Sequence, residues 1–296
     1  METAFTADGL DASIGLGECQ SGTDRVHWSD RLRFMTQDEQ GTNFRFQEVS
    51  GTTSIVLVHG VGLDQAIWDS MLEDITGHST LTYDLLGHGE TVSPLGTQSF
   101  QPFVGQLYSL LEATGIPECV LVGFSLGGQV VKHFASEYPD LVRALVLIST
   151  TYHRTTKERA SMASRVQKAK KGDQTDLESA ALQRWFNPNF LAANPAVETQ
   201  ITNRLRNNDP GRFLESYELL SNAEDHPVDY ASLAMPALVL TGDGDLGSTP
   251  RMAREMAQVM PNARAEIIQG AKHMGIIELH QEFSDALIGF MADGDI

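Results

Sequence analysis

From residue 54 onward, short apolar runs alternate with segments whose apolar residues recur every three or four positions. SIVLVHG (54–60), TLTYD (80–84), CVLVG (119–123), ALVLIST (144–150), PALVLTG (236–242) and AEIIQG (265–270) have strand length. Near-continuous apolar character predicts strands buried on both faces, because a half-solvated strand would alternate. The intervening segments predict helices. One carries Ile67, Met71, Leu72 and Ile75 on a single face, and a second carries Phe103, Leu107, Leu110 and Leu111. A third runs from about Leu126 to Glu137, a fourth starts near Pro250, and a last carries Ile276, Leu279, Phe283, Leu287 and Phe290. This alternation predicts an α/β fold, a parallel sheet covered by helices. Upstream, RLRFMT (31–36) and FRFQEV (44–49) have period two across an acidic turn, which predicts an antiparallel hairpin.

Two stretches depart from the pattern. Residues 1–30 are rich in Gly, Ser, Asp and Thr without a period, and are expected to form a poorly ordered arm. Residues 151–226 are helix-forming without a convincing strand, and are expected to be a helical cap inserted between two strands. The predicted core is therefore 31–150 with 227–296.

Charge narrows the partners. The chain has 296 residues and a formal net charge of −18. Nucleic acid is bound mainly through phosphate neutralisation, so this balance argues against it, and equally against an anionic membrane surface. The charge is uneven: residues 151–226 hold 11 Lys and Arg against 10 Asp and Glu, and no Lys or Arg lies between Arg45 and Lys132. Two cysteines, Cys19 and Cys119, give no disulfide framework and no zinc-ligand spacing. The first residues have neither a basic start nor an unbroken apolar run, so a cytoplasmic protein is expected. The expected partner is a small-molecule substrate, with no metal or cofactor required and a homodimer left open.

The candidate chemistry begins at Gly123-Phe124-Ser125-Leu126-Gly127, at the junction of a predicted strand and helix. A sharp strand-to-helix turn exposes the central side chain, and small residues two positions away avoid collision. The helix start favours developing negative charge. A serine hydroxyl needs a base, and the base needs an orienting acid. Among nine histidines His273 fits best, in a loop after the last strand at the edge where a parallel sheet presents ligands. After the preceding strand, Asp243 and Asp245 compete for the acid, and Asp245 is preferred because the acid must reach over the sheet edge. The order Ser125, Asp245, His273 is that of a triad on such a sheet.

Gly242 to Gly247 spells GxGxxG, but its two carboxylates would repel a pyrophosphate and too little chain follows for a nucleotide-binding sheet. The glycine loop HGVG (59–62) offers the Val61 amide toward an acyl oxygen, with the Leu126 amide as second donor of an oxyanion hole. Read without partners, that loop is a glycine turn closing a βα unit.

The series HGVG, DLLGHGET (84–91), GFSLGG, GDGDLGSTP and GAKHMGIIE, in this order over about residues 45–292, resembles the α/β-hydrolase superfamily. The resemblance implies a mostly parallel eight-stranded sheet flanked by helices, a nucleophile elbow at Ser125, a cap built from 151–226, and a structural role for His88. ALQRWFNPNF (181–190) and RNNDPGRFLESYELL resemble the 3-oxoadipate enol-lactonase and carboxylesterase branch. That likeness implies that Trp185 lines the acyl pocket and that Arg184, or another cap arginine, receives a substrate carboxylate. The alternative is that Trp185 and Phe186 are simply core of the cap.

The expected reaction is cleavage of a small carboxylic ester or enol-lactone through an acyl-enzyme. A C–C bond hydrolase acting on a dienone acid uses the same constellation, and a non-catalytic ligand receptor could use the same capped pocket.

Overall fold

The computed structural model describes residues 37–296 apart from 94, 95, 97, 98, 173 and 295, with the backbone alone of 174–177. The expected arm, 1–30, and the first strand of the expected hairpin, 31–36, lie outside the described residues.

The first half of the sheet holds β1 (Phe44–Gln47), β2 (Ser54–Val58), β3 (Ser79–Tyr83), β4 (Cys119–Phe124) and β5 (Val142–Ile148). Their helices are α1 (Asp69–Asp74), α2 (Gln101–Thr114) and α3 (Leu126–Glu137). Five helices follow β5 before the sheet resumes: α4 (Thr156–Lys170), α5 (Gln174–Trp185), α6 (Pro188–Ala193), α7 (Pro195–Arg206) and α8 (Pro210–Ser221). The chain then continues through β6 (Ala237–Gly242), α9 (Pro250–Val259), β7 (Ala263–Ile268), α10 (Gly275–Glu278) and α11 (His280–Asp293).

The described residues form a seven-stranded sheet ordered β1-β3-β2-β4-β5-β6-β7, in which only β1 is antiparallel. The resemblance implies eight strands, and the remaining one, RLRFMT at 31–36, lies outside the described residues. Among the described residues β1 takes β3 as its partner, with Phe44 opposite Tyr83, and the acidic turn closes on an antiparallel bridge between Gln37 and Asn43.

Each central strand divides its side chains between two cores. Val56, Val58, Leu121, Leu145, Leu147 and Val239 enter the core shared with α2, α3 and α9. Their alternates Ile55, Leu57, Val120, Val122, Val146 and Leu238 enter the other, shared with α1 and α11. Two buried faces explain why the sequence of these strands is continuously apolar. The connection leaving β2 goes to β3 on one side, while that leaving β4 goes to β5 on the other. This reversal opens a crevice beyond the carboxyl ends of β2 and β4, where ligands collect on open α/β sheets.

Candidate active site

Ser125 occupies that crevice, between β4 and α3, with φ 53° and ψ −109°. A non-glycine residue in this region is strained and is held only by surrounding contacts. Its amide donates to the Ile148 carbonyl at 2.9 Å, and its own carbonyl accepts from Thr150 Oγ1 at 2.8 Å. The Ser125 side chain does not cap α3, so the hydroxyl remains available. The glycines on either side serve close approach: a Cβ on Gly127 would lie 2.1 Å from the Val58 carbonyl oxygen, and one on Gly123 would lie 2.6 Å from that of Gly127.

The loop after β2 presses on the same residue, since a Cβ on Gly60 would lie 3.2 Å from Ser125 Cβ. Gly62 takes φ +74° and faces the insertion, where Asn208 Nδ2 donates to its carbonyl at 2.9 Å. Neither the Val61 nor the Leu126 amide donates to a loop or turn carbonyl among the described residues. His59 stabilises this loop from behind. The Leu85 amide donates to its Nε2 at 2.9 Å, so the proton sits on Nδ1, which donates to the Gly60 carbonyl at 2.8 Å. Burial lowers the His59 pKa and keeps this tautomer neutral.

His273 lies between β7 and α10, with Nδ1 2.7 Å from Asp245 Oδ2. Asp245 is 2% exposed, and its Oδ1 accepts from the Gly247 and Ser248 amides at 2.8 and 2.9 Å. Burial alone would raise the carboxyl pKa, but His273 and these amides outweigh burial and hold it below its ordinary value. Asp243 is committed elsewhere, accepting from the Gly270 amide at 2.8 Å. Both acids of the GxGxxG stretch are thus occupied within the chain.

The His273 loop is also fastened to the end of α5. The Met274 amide donates to the Trp185 carbonyl at 2.9 Å, and Lys272 Nζ donates to the Gln183 carbonyl at 2.9 Å. The imidazole lies with its centroid 5.0 Å from that of Phe124 and 6.1 Å from that of Trp185.

Ser125, Asp245, His273, Val61, Arg184 and Trp185 all line one cavity with about 670 Å³ of open space. An adjoining cavity of about 850 Å³ shares Val61, Arg184, Trp185 and Tyr217, and is otherwise walled mainly by apolar side chains such as Leu205, Phe213 and Leu214. The alternatives for Trp185 and Phe186 divide between the two residues. Phe186 is fully buried and stacks on Phe190, whereas Trp185 is half-buried and faces both cavities.

Two further arginines line the serine cavity and were missed in the sequence. Arg154 is consumed structurally, paired with Glu224 at 2.9 Å and donating to the Leu220 and Ser221 carbonyls. Arg165, on α4, donates to Ser161 Oγ and has no carboxylate partner among the described residues. Arg184 likewise has none, and donates to the Ala180 carbonyl at 2.8 Å. Arg165 sits on the face of α4 marked by Met162 and Val166, a signal too weak to separate it from a solvated arginine. Among the described residues no group of three or more His, Cys, Asp or Glu is placed to hold a metal, and no helix is long and apolar enough to cross a membrane.

The model of the alpha/beta hydrolase fold matches residues 53–278. The chain belongs to this family. Among its relatives, this alpha/beta hydrolase is 26% identical over 235 residues to the (E)-2-((N-methylformamido)methylene)succinate hydrolase of Acinetobacter baylyi, covering 79% of the chain and 88% of the relative. It is 21% identical to 3-oxoadipate enol-lactonase 2 of the same organism, covering 90% and 97%. Among solved structures, the enol-lactonase from Burkholderia xenovorans superposes with a TM-score of 0.76 at 26% identity, covering 85% of this hydrolase and 97% of that chain.

Proposed function

We propose that this alpha/beta hydrolase is a serine hydrolase that cleaves an ester or enol-lactone of a small, carboxylate-bearing substrate. The observation that carries the reading is the meeting, in one cavity, of a strained serine at a helix start with a histidine already bonded to a buried aspartate. His273 Nε2 takes the proton of Ser125 Oγ as the serine attacks the carbonyl carbon. Asp245 fixes the imidazole with its proton on Nδ1 and stabilises the imidazolium that forms. The Val61 and Leu126 amides receive the developing oxyanion. The imidazolium then protonates the leaving alcohol or enol oxygen, and water, activated by the same base, releases the acid from Ser125.

Two arginines without carboxylate partners among the described residues, in a chain of net charge −18, support an anionic substrate. The names of the two relatives from Acinetobacter baylyi, a succinate and an oxoadipate derivative, also denote carboxylates. The insertion 151–226 supplies these arginines and Trp185, and acts as a cap. The described cysteine, Cys119, is free and buried, which fits a cytoplasmic protein.

The test compares nitrophenyl esters, enol-lactones and dienone acids in wild type and Ser125→Ala. A burst of nitrophenol that disappears in the variant is expected. Retained turnover in Ser125→Ala would remove the serine from the chemistry. A dienone acid cleaved much faster than any ester would indicate C–C hydrolysis, and binding without turnover would indicate a receptor.

A further inference from the structure

Beside the serine cavity, with which it shares Thr151, another cavity with about 750 Å³ of open space is lined by α3, the segment after β5, α4 and the segment after α8. Lys132 of α3 lines it, only 5% exposed, with Nζ donating to Tyr230 Oη at 2.8 Å and lying 5.2 Å from the centre of the Tyr230 ring. It has no ion-pair partner among the described residues. Glu224, the carboxylate in this wall, is paired with Arg154. An ammonium buried without a counter-charge is costly, and an apolar side chain would fill the place more cheaply. Arg159 adds a second cation to the lining.

Gln129, fully buried in the same wall, spends its amide nitrogen on Thr150 Oγ1 at 3.0 Å and the Thr151 carbonyl at 2.8 Å, while its Oε1 has no partner among the described residues. A buried acceptor left open costs free energy until a donor reaches it. Tyr152 and Tyr230 form an aromatic corner, with ring centroids 5.0 Å apart at 82°. His153, at the mouth, holds φ 43°, the kind of backbone strain that collects at ligand sites.

We propose that this cavity is a second binding site, for a small aromatic carboxylate that also carries a hydroxyl donor. The carboxylate pairs with Lys132 Nζ and Arg159, the ring packs in the Tyr152–Tyr230 corner, and the hydroxyl donates to Gln129 Oε1. The site shares Thr151 with the serine cavity but uses none of that cavity's arginines, so it does not depend on the hydrolase reading.

Calorimetric titration of the full chain with 4-hydroxybenzoate tests it. Lys132→Met is expected to weaken binding at least ~10-fold and Arg159→Ala about threefold, whereas Arg184→Ala leaves this binding unchanged. Benzoate, lacking the hydroxyl, is expected to bind about tenfold more weakly, and inorganic phosphate weaker still. Lys132→Met should unfold no earlier than wild type, and Arg159, being exposed, provides a variant whose folding is not in question. Unchanged affinity in both Lys132→Met and Arg159→Ala, or phosphate binding as tightly as 4-hydroxybenzoate, would overturn the proposal.

Discussion

At the scale of single residues, the site is a set of positions from which alternatives are sterically removed. Gly127 lies so close to the Val58 carbonyl that even alanine would force the β4–α3 junction, with Ser125 and the Leu126 amide, away from β2 and the Val61 amide that follows it. Under the proposed function, Arg165 and Arg184 receive the substrate carboxylate. Hydrogen bonds to a charged group contribute about 1.5–3 kcal/mol, so Arg165→Ala should raise KM for a carboxylate-bearing ester by about 10- to 100-fold. A neutral ester of similar size, run in parallel by steady-state kinetics, should be unaffected. The sequence disclosed the residues whose placement follows from a junction: Ser125 at a strand-to-helix turn, and His273 and Asp245 in loops beyond strand ends. It concealed Arg165, Lys132 and Gln129, because a polar side chain within a helix has the same local pattern whether it meets water or a cavity. Only the packing of distant segments distinguishes the two.

At the scale of elements, agreement was closest where burial determines structure. Helix α3 has the expected limits, Leu126 to Glu137, because its start is fixed by the serine turn and its end by Pro139. Where propensity alone had to decide, the structure divides what the sequence joined. The last helix breaks at Leu279, with φ −129° and ψ 47°, into α10 and α11, and the helix carrying Ile67 begins as a 3-10 turn over Gln65–Trp68. In the insertion 151–226, α4 is secured at its start by a reciprocal pair: Thr155 Oγ1 accepts from the Glu158 amide, and the Glu158 carboxylate accepts from the Thr155 amide. Thr155→Ala should cost about 1 kcal/mol, visible as a lower urea midpoint with unchanged slope. The Glu158 carboxylate also meets Arg251 of α9, so α4 is joined to the core at the same end.

At the scale of the whole molecule, the buried Lys132 makes stability depend on pH. Burial lowers its pKa to about 7, with Glu224 acting in the opposite sense and Arg154 adding to the depression. In the unfolded chain the amine titrates near 10.5. Between these values the unfolded state binds more protons than the folded one, so this residue's destabilising effect is greatest below pH 7 and fades as pH rises toward 10. Lys132→Met should therefore be more stable than wild type by about a few kcal/mol at pH 6, and the gap should close by pH 10, as read from urea unfolding at each pH.

The bonds from Met274 and Lys272 to the end of α5 place the proposed general base and the roof of the cavity on one mechanical part. Under the proposed function, displacing α5 with these bonds intact would draw the His273 loop with it and away from Asp245, so that access to the serine and the arming of its base would be coupled through two hydrogen bonds.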